Sequence, residues 1–180
     1  HRGLGVFAAP GVELAPVDLD LGQLESFLPC RVHGSFLLVA AWTRQANSPT
    51  FQYIGQLWKF IQTHRAFLST QPTVIAGYMN SNVRWDKWDR WWSHTDVVRE
   101  LSEMGLESVY HRCRRIPQGL ELDPTFFLQR NPAKAYHIDY VFAPGAWLDD
   151  CSAWVGESEK WLQWSDHMPL VVRVDPPNDA

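Results

Sequence analysis

The chain has 180 residues, of which 46% are hydrophobic and 20% are charged, and its formal net charge is −4 at pH 7. This composition excludes a disordered chain and suffices for one domain with its own core, which we place at residues 1–180. The negative charge disfavours a protein that coats nucleic acid non-specifically, because such affinity comes mostly from Lys and Arg neutralising phosphates. A local basic groove remains compatible with it.

The cysteines and the N-terminal residues bear on the cellular compartment. Cys30, Cys113 and Cys151 are widely spaced and fit neither a zinc pattern nor a disulfide framework, so we expect reduced thiols in the core or in loops. No apolar run approaches the ~20 residues that span a bilayer. The first residues, 1–3, lack the hydrophobic segment of a signal peptide. These features predict a soluble, cytoplasmic protein, although a processed chain would share them.

Short apolar runs bounded by Pro, Gly or polar clusters predict buried strands along the whole chain. In chain order these runs are residues 5–8, 35–43, 73–76, 108–110, 125–128, 137–142, 153–156 and 169–174. Helices alternate with these strands. Residues 53–69 carry an apolar stripe at helical spacing. Residues 95–104 follow Ser93, which stands three positions before Asp96 as in a capping box, and end at Gly105, a suitable C-cap.

Ten tryptophans are present, and four of them fall within residues 84–92, which read RWDKWDRWW. Trp85, Trp88 and Trp92 would share one face of a helix, so we expect them to be buried against the helix that begins at residue 95. The alternative is a stacking platform for nucleobases or a lipid-facing rim. The interleaved acidic and basic residues do not favour nucleic acid.

Two motifs point to chemistry. Residues 137–142, HIDYVF, form an apolar strand interrupted by Asp139, and the triplet Ser165-Asp166-His167 precedes the last predicted strand. A carboxylate at the end of one strand, beside a histidine at the mouth of another, orients the imidazole and stabilises its cationic form. We therefore expect a hydrogen bond between Asp139 and His167, with Asp166 free to act on a metal ion or a water molecule.

The order of motifs extends this interpretation. A strand ending in Gly-x-x-Asn-Ser-Asn at residues 77–82 is followed by Trp85-Asp86, a helix, Pro124-Thr125-Phe126, and then the two motifs just described. Over nearly its whole length the chain closely resembles the endonuclease/exonuclease/phosphatase superfamily, which includes exonuclease III, abasic-site endonucleases, DNase I and neutral sphingomyelinases. The resemblance implies an α+β fold, a four-layer α/β sandwich of two packed mixed sheets flanked by helices. It also implies metal-assisted phosphoester hydrolysis.

Site residues follow from the resemblance. His167, Asp139 and Asn80 match the superfamily's catalytic positions, and Asp166 matches a metal-linked aspartate, for which Mg²⁺ or Mn²⁺ is the implied ion. Substrate-binding positions are matched more loosely. They are Trp42, Gln45 and Asn47 near the scissile phosphate, and Thr125 and His137, for which a strand-edge role and a strand-end cap are equally compatible with the sequence.

The chain departs from the superfamily's pattern in two ways. Tyr78 stands where the pattern has an aspartate after the glycine, and a phenol with a pKa of ~10 accepts a proton poorly at neutral pH. Residues 3–8 resemble the superfamily's third strand, so this sequence would cover the C-terminal two thirds or more of the fold. The earlier strands, including one that ends in a metal-binding Glu, are expected in a partner chain, a second copy or a segment outside this sequence. Glu13 follows a turn and is no substitute.

Two classes of function remain open. The first is a metal-dependent phosphodiesterase or nuclease-type hydrolase, diverged or incomplete, whose substrate is a nucleic-acid or phospholipid phosphodiester. The second is a pseudoenzyme that keeps the fold as a binding or assembly module, which Tyr78 favours. A serine hydrolase is excluded because the sequence has no Gly-x-Ser-x-Gly motif.

Overall fold

A computed structural model describes residues 3–45, 48 and 50–176. The strands are β1 (Leu14–Pro16), β2 (Phe27–Val32), β3 (Phe36–Trp42), β4 (Thr73–Tyr78), β5 (Leu106–Ser108), β6 (Phe126–Phe127), β7 (Ala135–Tyr136), β8 (Asp139–Pro144), β9 (Ser152–Val155) and β10 (Leu170–Arg173). The α-helices are α1 (Ile54–Leu68), α2 (His94–Glu103), α3 (Val109–Arg114) and α4 (Ser158–Trp161). Short 3₁₀ helices span Val83–Trp85, Leu128–Arg130 and Gly145–Trp147.

Six strands form a mixed sheet in the order β1-β2-β3-β4-β8-β5. Strands β3 and β4 are parallel, and the other neighbours are antiparallel. A parallel pair needs a crossover connection, and α1 provides it between β3 and β4. Strands β9 and β10 form a separate antiparallel pair, and β6 and β7 form a small hairpin.

The two faces of the mixed sheet are packed differently. Helices α1 and α2 cover one face with a large core that includes Leu57, Phe60, Ile75 and Leu101. The opposite face carries a smaller cluster, with Val74, Val109, Ala143, Trp147 and Leu148 buried and Val172 and Val174 packed against it. Because Val172 belongs to β10, the β9–β10 layer packs on this second face. The predicted α+β sandwich is confirmed, with a second sheet that has two strands among the described residues.

Gly77 explains how β3 and β4 approach each other so closely. Its φ is +145°, and a Cβ atom at this position would lie 1.9 Å from the carbonyl oxygen of Ala41 on β3. Only glycine fits here without moving the backbone. The close approach brings the ends of both strands, Trp42 and Tyr78, into register beside each other.

Most predicted elements are confirmed within two residues. Two strand predictions are wrong: residues 5–8 form no strand, and residues 108–110 fall where β5 ends at Ser108 and α3 begins at Val109. The short strand β1 and the whole of β2 were not predicted. In β2, Pro29 and Arg31 interrupt the apolar pattern, and Pro29 is tolerated because the pairing with β1 ends at Cys30.

The expectation of three reduced cysteines is wrong for one pair. Cys113 at the end of α3 and Cys151 before β9 form a disulfide with Cα atoms 5.9 Å apart, whereas Cys30 is free and buried. Their separation of 38 residues carries no sequence signature, because only the fold brings α3 and β9 together. None of the described helices has the length and apolar character needed to cross a bilayer.

The predicted tryptophan cluster is only partly present. Trp92 is buried, as predicted, and its ring packs against Gly55 of α1. Trp85 and Trp88 are 44% and 99% exposed, which contradicts the prediction for both. The reason is that residues 83–85 form a single 3₁₀ turn and residues 86–93 are not helical, so spacings of three and four do not produce one common face.

Candidate functional site

The centre of the candidate site is a carboxylate–histidine pair. Asp139 begins β8, and His167 lies in the loop just before β10. The Nδ1 atom of His167 is 3.0 Å from Oδ2 of Asp139, so the hydrogen bond expected from the sequence is present. Both side chains keep some contact with solvent, at 28% for His167 and 18% for Asp139. The pair is therefore held in place yet accessible to a ligand.

Backbone hydrogen bonds fasten the His167 loop to residues 125–127. The amide of Phe127 donates to the carbonyl of Asp166 at 2.8 Å, and the amide of Met168 donates to the carbonyl of Thr125 at 2.8 Å. Phe126 and His167 face each other in an antiparallel bridge between these bonds. This short segment fixes the backbone on both sides of the imidazole.

Thr125 also holds the other half of the pair. Its side chain is fully buried, and Oγ1 accepts hydrogen bonds from the amides of Ile138 at 3.0 Å and Asp139 at 3.1 Å. Thr125 thus lies beneath the site, and its complete burial fits the strand-edge interpretation better than direct contact with a substrate. One residue connects the backbones that carry Asp139 and His167.

The charge of the His167 imidazole depends on two carboxylates, Asp139 and Asp166. Burial disfavours the imidazolium, but the hydrogen bond and charge of Asp139, together with the charge of Asp166, outweigh it and raise the pKa of His167 above its ordinary value of 6.5. A histidine with a raised pKa carries a proton over more of the physiological range. The direction of this shift favours the cationic form of the His167 imidazole.

Tyr78 lies directly against this imidazole. The two rings meet edge to face with centroids 4.5 Å apart, and Tyr78 is in register with Asp139 across β4 and β8. Burial, followed by the charges of Asp139 and Asp166, raises the pKa of Tyr78 to about 12. The phenol is therefore protonated at neutral pH and cannot act as a general base there.

These groups line an open cleft of about 720 Å³. Its wall includes Trp42, Tyr78, Phe126, Asp166 and His167. The sequence analysis did not identify Phe126 as a site residue, although its ring lies 4.7 Å from that of His167. Its position in the predicted strand could have identified it. Successive side chains of a strand point to opposite faces, so a buried Thr125 places Phe126 on the side of the cleft.

Other predicted substrate-binding positions lie elsewhere. Gln45 is exposed and does not line this cleft, and Asn47 lies outside the described residues. His137 is buried, and its Nδ1 hydrogen-bonds the carbonyl of Asp123 at 2.7 Å. It borders a different cleft, together with Glu121 and Tyr136. The strand-end interpretation of His137 fits this position better than contact with a substrate in the cleft of His167.

Comparison with known proteins identifies the fold. Neither a family model nor a curated protein matches the sequence. Several solved structures do match. One is a 3′ phosphatase from Neisseria bound to product DNA hairpin, which has 17% identity and a TM-score of 0.58, with coverage of 83% of this chain and 64% of that one. An AP endonuclease from Archaeoglobus fulgidus has 17% identity, a TM-score of 0.56, and coverage of 92% and 71%. The endonuclease domain of TRAS1, a telomere-specific non-LTR retrotransposon, has 18% identity, a TM-score of 0.55, and coverage of 94% and 71%.

The chain has the endonuclease/exonuclease/phosphatase fold. At these identities the likeness establishes the fold alone. The chain spans about 64% of the length of the Neisseria structures.

Within this endonuclease/exonuclease/phosphatase fold, Asn80 does not share the cleft of Asp166 and His167. It lines an adjoining cleft of about 260 Å³ together with Tyr53, Lys87 and Arg90. The match of Asn80 to a catalytic position stays a prediction, since only two residues separate it from Tyr78 in the main cleft, and its backbone has a φ of +48°. The two cationic side chains beside Asn80 were not identified as site residues from the sequence.

The acidic side chains of the described residues are too scattered to form a metal site on their own. Across residues 3–45, 48 and 50–176, no three His, Cys, Asp or Glu side chains are grouped so as to hold a metal ion. Asp166 faces the cleft, but Asp139 is engaged by His167 and a neutral phenol occupies position 78. The described residues therefore do not make a complete Mg²⁺ or Mn²⁺ site by themselves, since these ions prefer several oxygen ligands.

Proposed function

We propose that this chain is a phosphodiesterase-type domain of the nuclease class, whose cleft binds the phosphodiester of a nucleic acid or a phospholipid. The observation that carries the proposal is the Asp139–His167 hydrogen bond at the mouth of an open cleft. A phosphodiester carries one negative charge, and an imidazolium beside it offers both a counter-charge and a hydrogen-bond donor. A solved structure of the same fold is bound to a DNA hairpin, which agrees with a nucleic-acid ligand.

The pair assigns a role to each nitrogen of the imidazole. Because Nδ1 is engaged by Asp139, Nε2 is the nitrogen left to meet a ligand. In the protonated imidazole Nε2 donates, so it would contact a phosphoryl oxygen or give its proton to a departing alkoxide. Asp139 would keep the ring in orientation during either event.

A second candidate, a non-catalytic binding module, is favoured by Tyr78. The protonated phenol occupies the place where a base would prepare the attacking water, and the described carboxylates do not complete a metal site. A Mg²⁺ or Mn²⁺ ion would add Lewis-acid chemistry if further ligands joined Asp166. We therefore propose that the described residues bind a phosphodiester without hydrolysing it.

Strand β10 supports the proposal that a further segment joins this domain. Within the described residues β10 pairs with β9 alone, so its other edge has free backbone donors and acceptors. Such an edge is a natural pairing site for another strand. A partner chain, a second copy of this chain or another segment of the same product would fit it.

The test measures binding and turnover separately. In the 180-residue chain labelled with ¹⁵N, bis-p-nitrophenyl phosphate should shift the imidazole resonances of His167 and leave those of the exposed His33 unchanged. The same substrate, abasic DNA, single-stranded DNA and sphingomyelin should show no Mg²⁺- or Mn²⁺-dependent hydrolysis above a His167→Ala control. Turnover abolished by His167→Ala would refute the binding-only proposal and favour an active enzyme. Unchanged His167 resonances would refute phosphodiester binding.

A further inference from the structure

Residues 84–91 combine cations and tryptophans in a regular order. The segment reads Arg-Trp-Asp, Lys-Trp-Asp, Arg-Trp, so a cation and a tryptophan recur together every three residues. We call this the basic–aromatic segment. It follows the Val83–Trp85 turn and leads to α2, and every one of its residues except Asp86 is exposed. Because these side chains are exposed, packing in the core does not account for the repeat.

The positive charges of the segment are available to a ligand. Neither Arg84, Lys87 nor Arg90 forms an ion pair with any described carboxylate. Arg84 donates from Nε to the carbonyl of Gly119 at 2.6 Å, and the guanidinium of Arg90 lies 5.1 Å from the ring centre of Trp92. These contacts hold the side chains of Arg84 and Arg90 in place and leave their charge unneutralised.

One of the two interleaved acids, Asp86, is half-buried and hydrogen-bonded to the start of α2, although it still borders the cleft that Lys87 and Arg90 line. Asp86 accepts hydrogen bonds from the amides of His94 at 2.8 Å and Thr95 at 3.0 Å, and it also accepts from the Thr95 hydroxyl. Its carboxylate therefore caps the start of α2. The exposed charged side chains of the segment are therefore three cations and one acid, Asp89, and its charge balance is positive even with Asp86 counted.

The tryptophans of the segment present their rings to solvent. Trp85, Trp88 and Trp91 are 44%, 99% and 62% exposed. Trp91 is braced edge-on by Trp58 at 4.8 Å, and Trp85 lies 5.3 Å from another aromatic ring. Trp85 and Trp91 are thus braced yet exposed, and Trp88 projects fully into solvent between them in the sequence. Exposed aromatic rings of this kind are stacking platforms for nucleobases.

The segment also adjoins the candidate site. Trp85, Lys87 and Arg90 line the cleft that contains Asn80. Asn80 lies two residues after Tyr78, whose ring contacts His167. The segment Tyr78–Asn80 therefore links the main cleft to the cleft that Lys87 and Arg90 line.

We propose that the basic–aromatic segment binds a single-stranded nucleic acid on one side of the phosphodiester held at His167, an inference that rests on the proposed function. Each cation–tryptophan pair offers what one nucleotide requires, a counter-charge for a phosphate and a flat surface for a base. A single strand is specified because the base faces of a duplex are already stacked on each other. A lipid surface is disfavoured because charged residues separate every pair of tryptophans, so the segment has no continuous apolar face.

The test is binding of a fluorescein-labelled oligothymidine of 12 nucleotides to the 180-residue chain, followed by anisotropy at low salt. Trp88→Ala should weaken binding roughly 5- to 100-fold, the range for loss of one stacked base. Its side chain is 99% exposed, so the substitution leaves the core intact. Trp154→Ala, an exposed tryptophan on β9 outside the segment, is the matched control and should bind as the unmodified chain does.

Charge is tested in the same assay. Lys87→Gln should weaken binding to all sequences alike and reduce the slope of log affinity against log salt by about 0.7, as expected for one lost phosphate contact. Arg173→Gln, an exposed arginine on β10, should leave the slope unchanged.

Several outcomes would overturn the inference. Unchanged oligonucleotide binding by Trp88→Ala would do so, as would equal affinity for a blunt duplex. Trp88-dependent binding to phosphatidylserine vesicles without oligonucleotide binding would assign the segment to a membrane surface instead. The His167 resonances test the proposed function independently of the oligonucleotide assay. If bis-p-nitrophenyl phosphate shifts them while Trp88→Ala has no effect on the oligonucleotide, only the segment inference fails.

Discussion

Replacing Thr125 by valine should disrupt the candidate site by removing the buried hydrogen bonds that position Asp139. Valine keeps the shape of the side chain but removes Oγ1, which accepts from the amides of Ile138 and Asp139. Thr125 is 0% exposed, so water cannot readily replace the lost acceptor. Each buried donor left without a partner costs about 1–3 kcal/mol, so the two amides together give a loss of about 2–6 kcal/mol in the free energy of unfolding.

The assay separates this role from simple packing. Urea unfolding gives the loss of stability, and an NMR titration gives the pKa of His167. In Thr125→Val the pKa of His167 should fall towards 6.5, because Asp139 is no longer fixed against the imidazole. Thr125→Ser keeps the hydroxyl and loses one methyl group, so it should cost only about 1 kcal/mol and keep the raised pKa.

Equal effects of the two substitutions would contradict a positioning role for the Thr125 hydroxyl. If Thr125→Val and Thr125→Ser lost the same stability and left the pKa of His167 unchanged, the hydroxyl would have no part in positioning the pair. The backbone bonds of residues 125–127 would then suffice to hold His167 against Asp139.

Three further predictions concern other parts of the molecule. Asp139→Asn should lower the pKa of His167, and its loss of stability should be largest below pH 6.5 and should diminish as pH rises through the raised pKa of the folded state, as measured by urea unfolding between pH 5.5 and 9. Reducing the Cys113–Cys151 disulfide, which closes a loop of 38 residues, should lower the free energy of unfolding by about 2–4 kcal/mol, measured with and without dithiothreitol. Gly77→Ala should prevent folding, measured by soluble yield and circular dichroism, because its Cβ would overlap a neighbouring carbonyl.

Each of these has a contrary result. A constant stability difference across the pH range would show that the charge on His167 is not coupled to Asp139. Equal unfolding curves with and without reductant would show that the disulfide does not restrain the unfolded chain. For Gly77 the control is Gly11→Ala, at a position with positive φ but open space around it, which should cost about 1 kcal/mol and still fold. Normal folding of Gly77→Ala would disprove the close approach of β3 and β4.

The parts of the molecule that local sequence determines were predictable. Helix α1 follows from its apolar stripe, and α2 follows from Ser93, whose hydroxyl accepts from the amide of Asp96 at 3.2 Å. The contact between Asp139 and His167 was also predictable, because each residue ends or precedes a recognisable strand and the family resemblance links them.

The rest depends on contacts between residues far apart in sequence. A substrate-binding role and a strand-edge role both stayed open for Thr125, because nothing local shows that its hydroxyl turns towards the amides of Ile138 and Asp139. The exposure of Trp88 was missed because helical spacing was assumed where the chain is irregular. Asp86 was counted as a surface charge, but the helix that it caps lies eight residues further on.

The unequal cores on the two faces of the mixed sheet have a consequence for the lifetime of the site. Asp139 belongs to the mixed sheet, which the large core stabilises, whereas His167 belongs to the layer that packs through the smaller cluster around Val172. Regions with fewer buried contacts open more often, so amide hydrogen exchange should be fastest in β9 and β10 and slowest in β3 and β4. An opening that also broke the bonds between residues 125–127 and the loop before β10 would separate the imidazole from its carboxylate. A strand that paired with the free edge of β10 would make these openings rarer, and would strengthen ligand binding at His167 without touching the ligand.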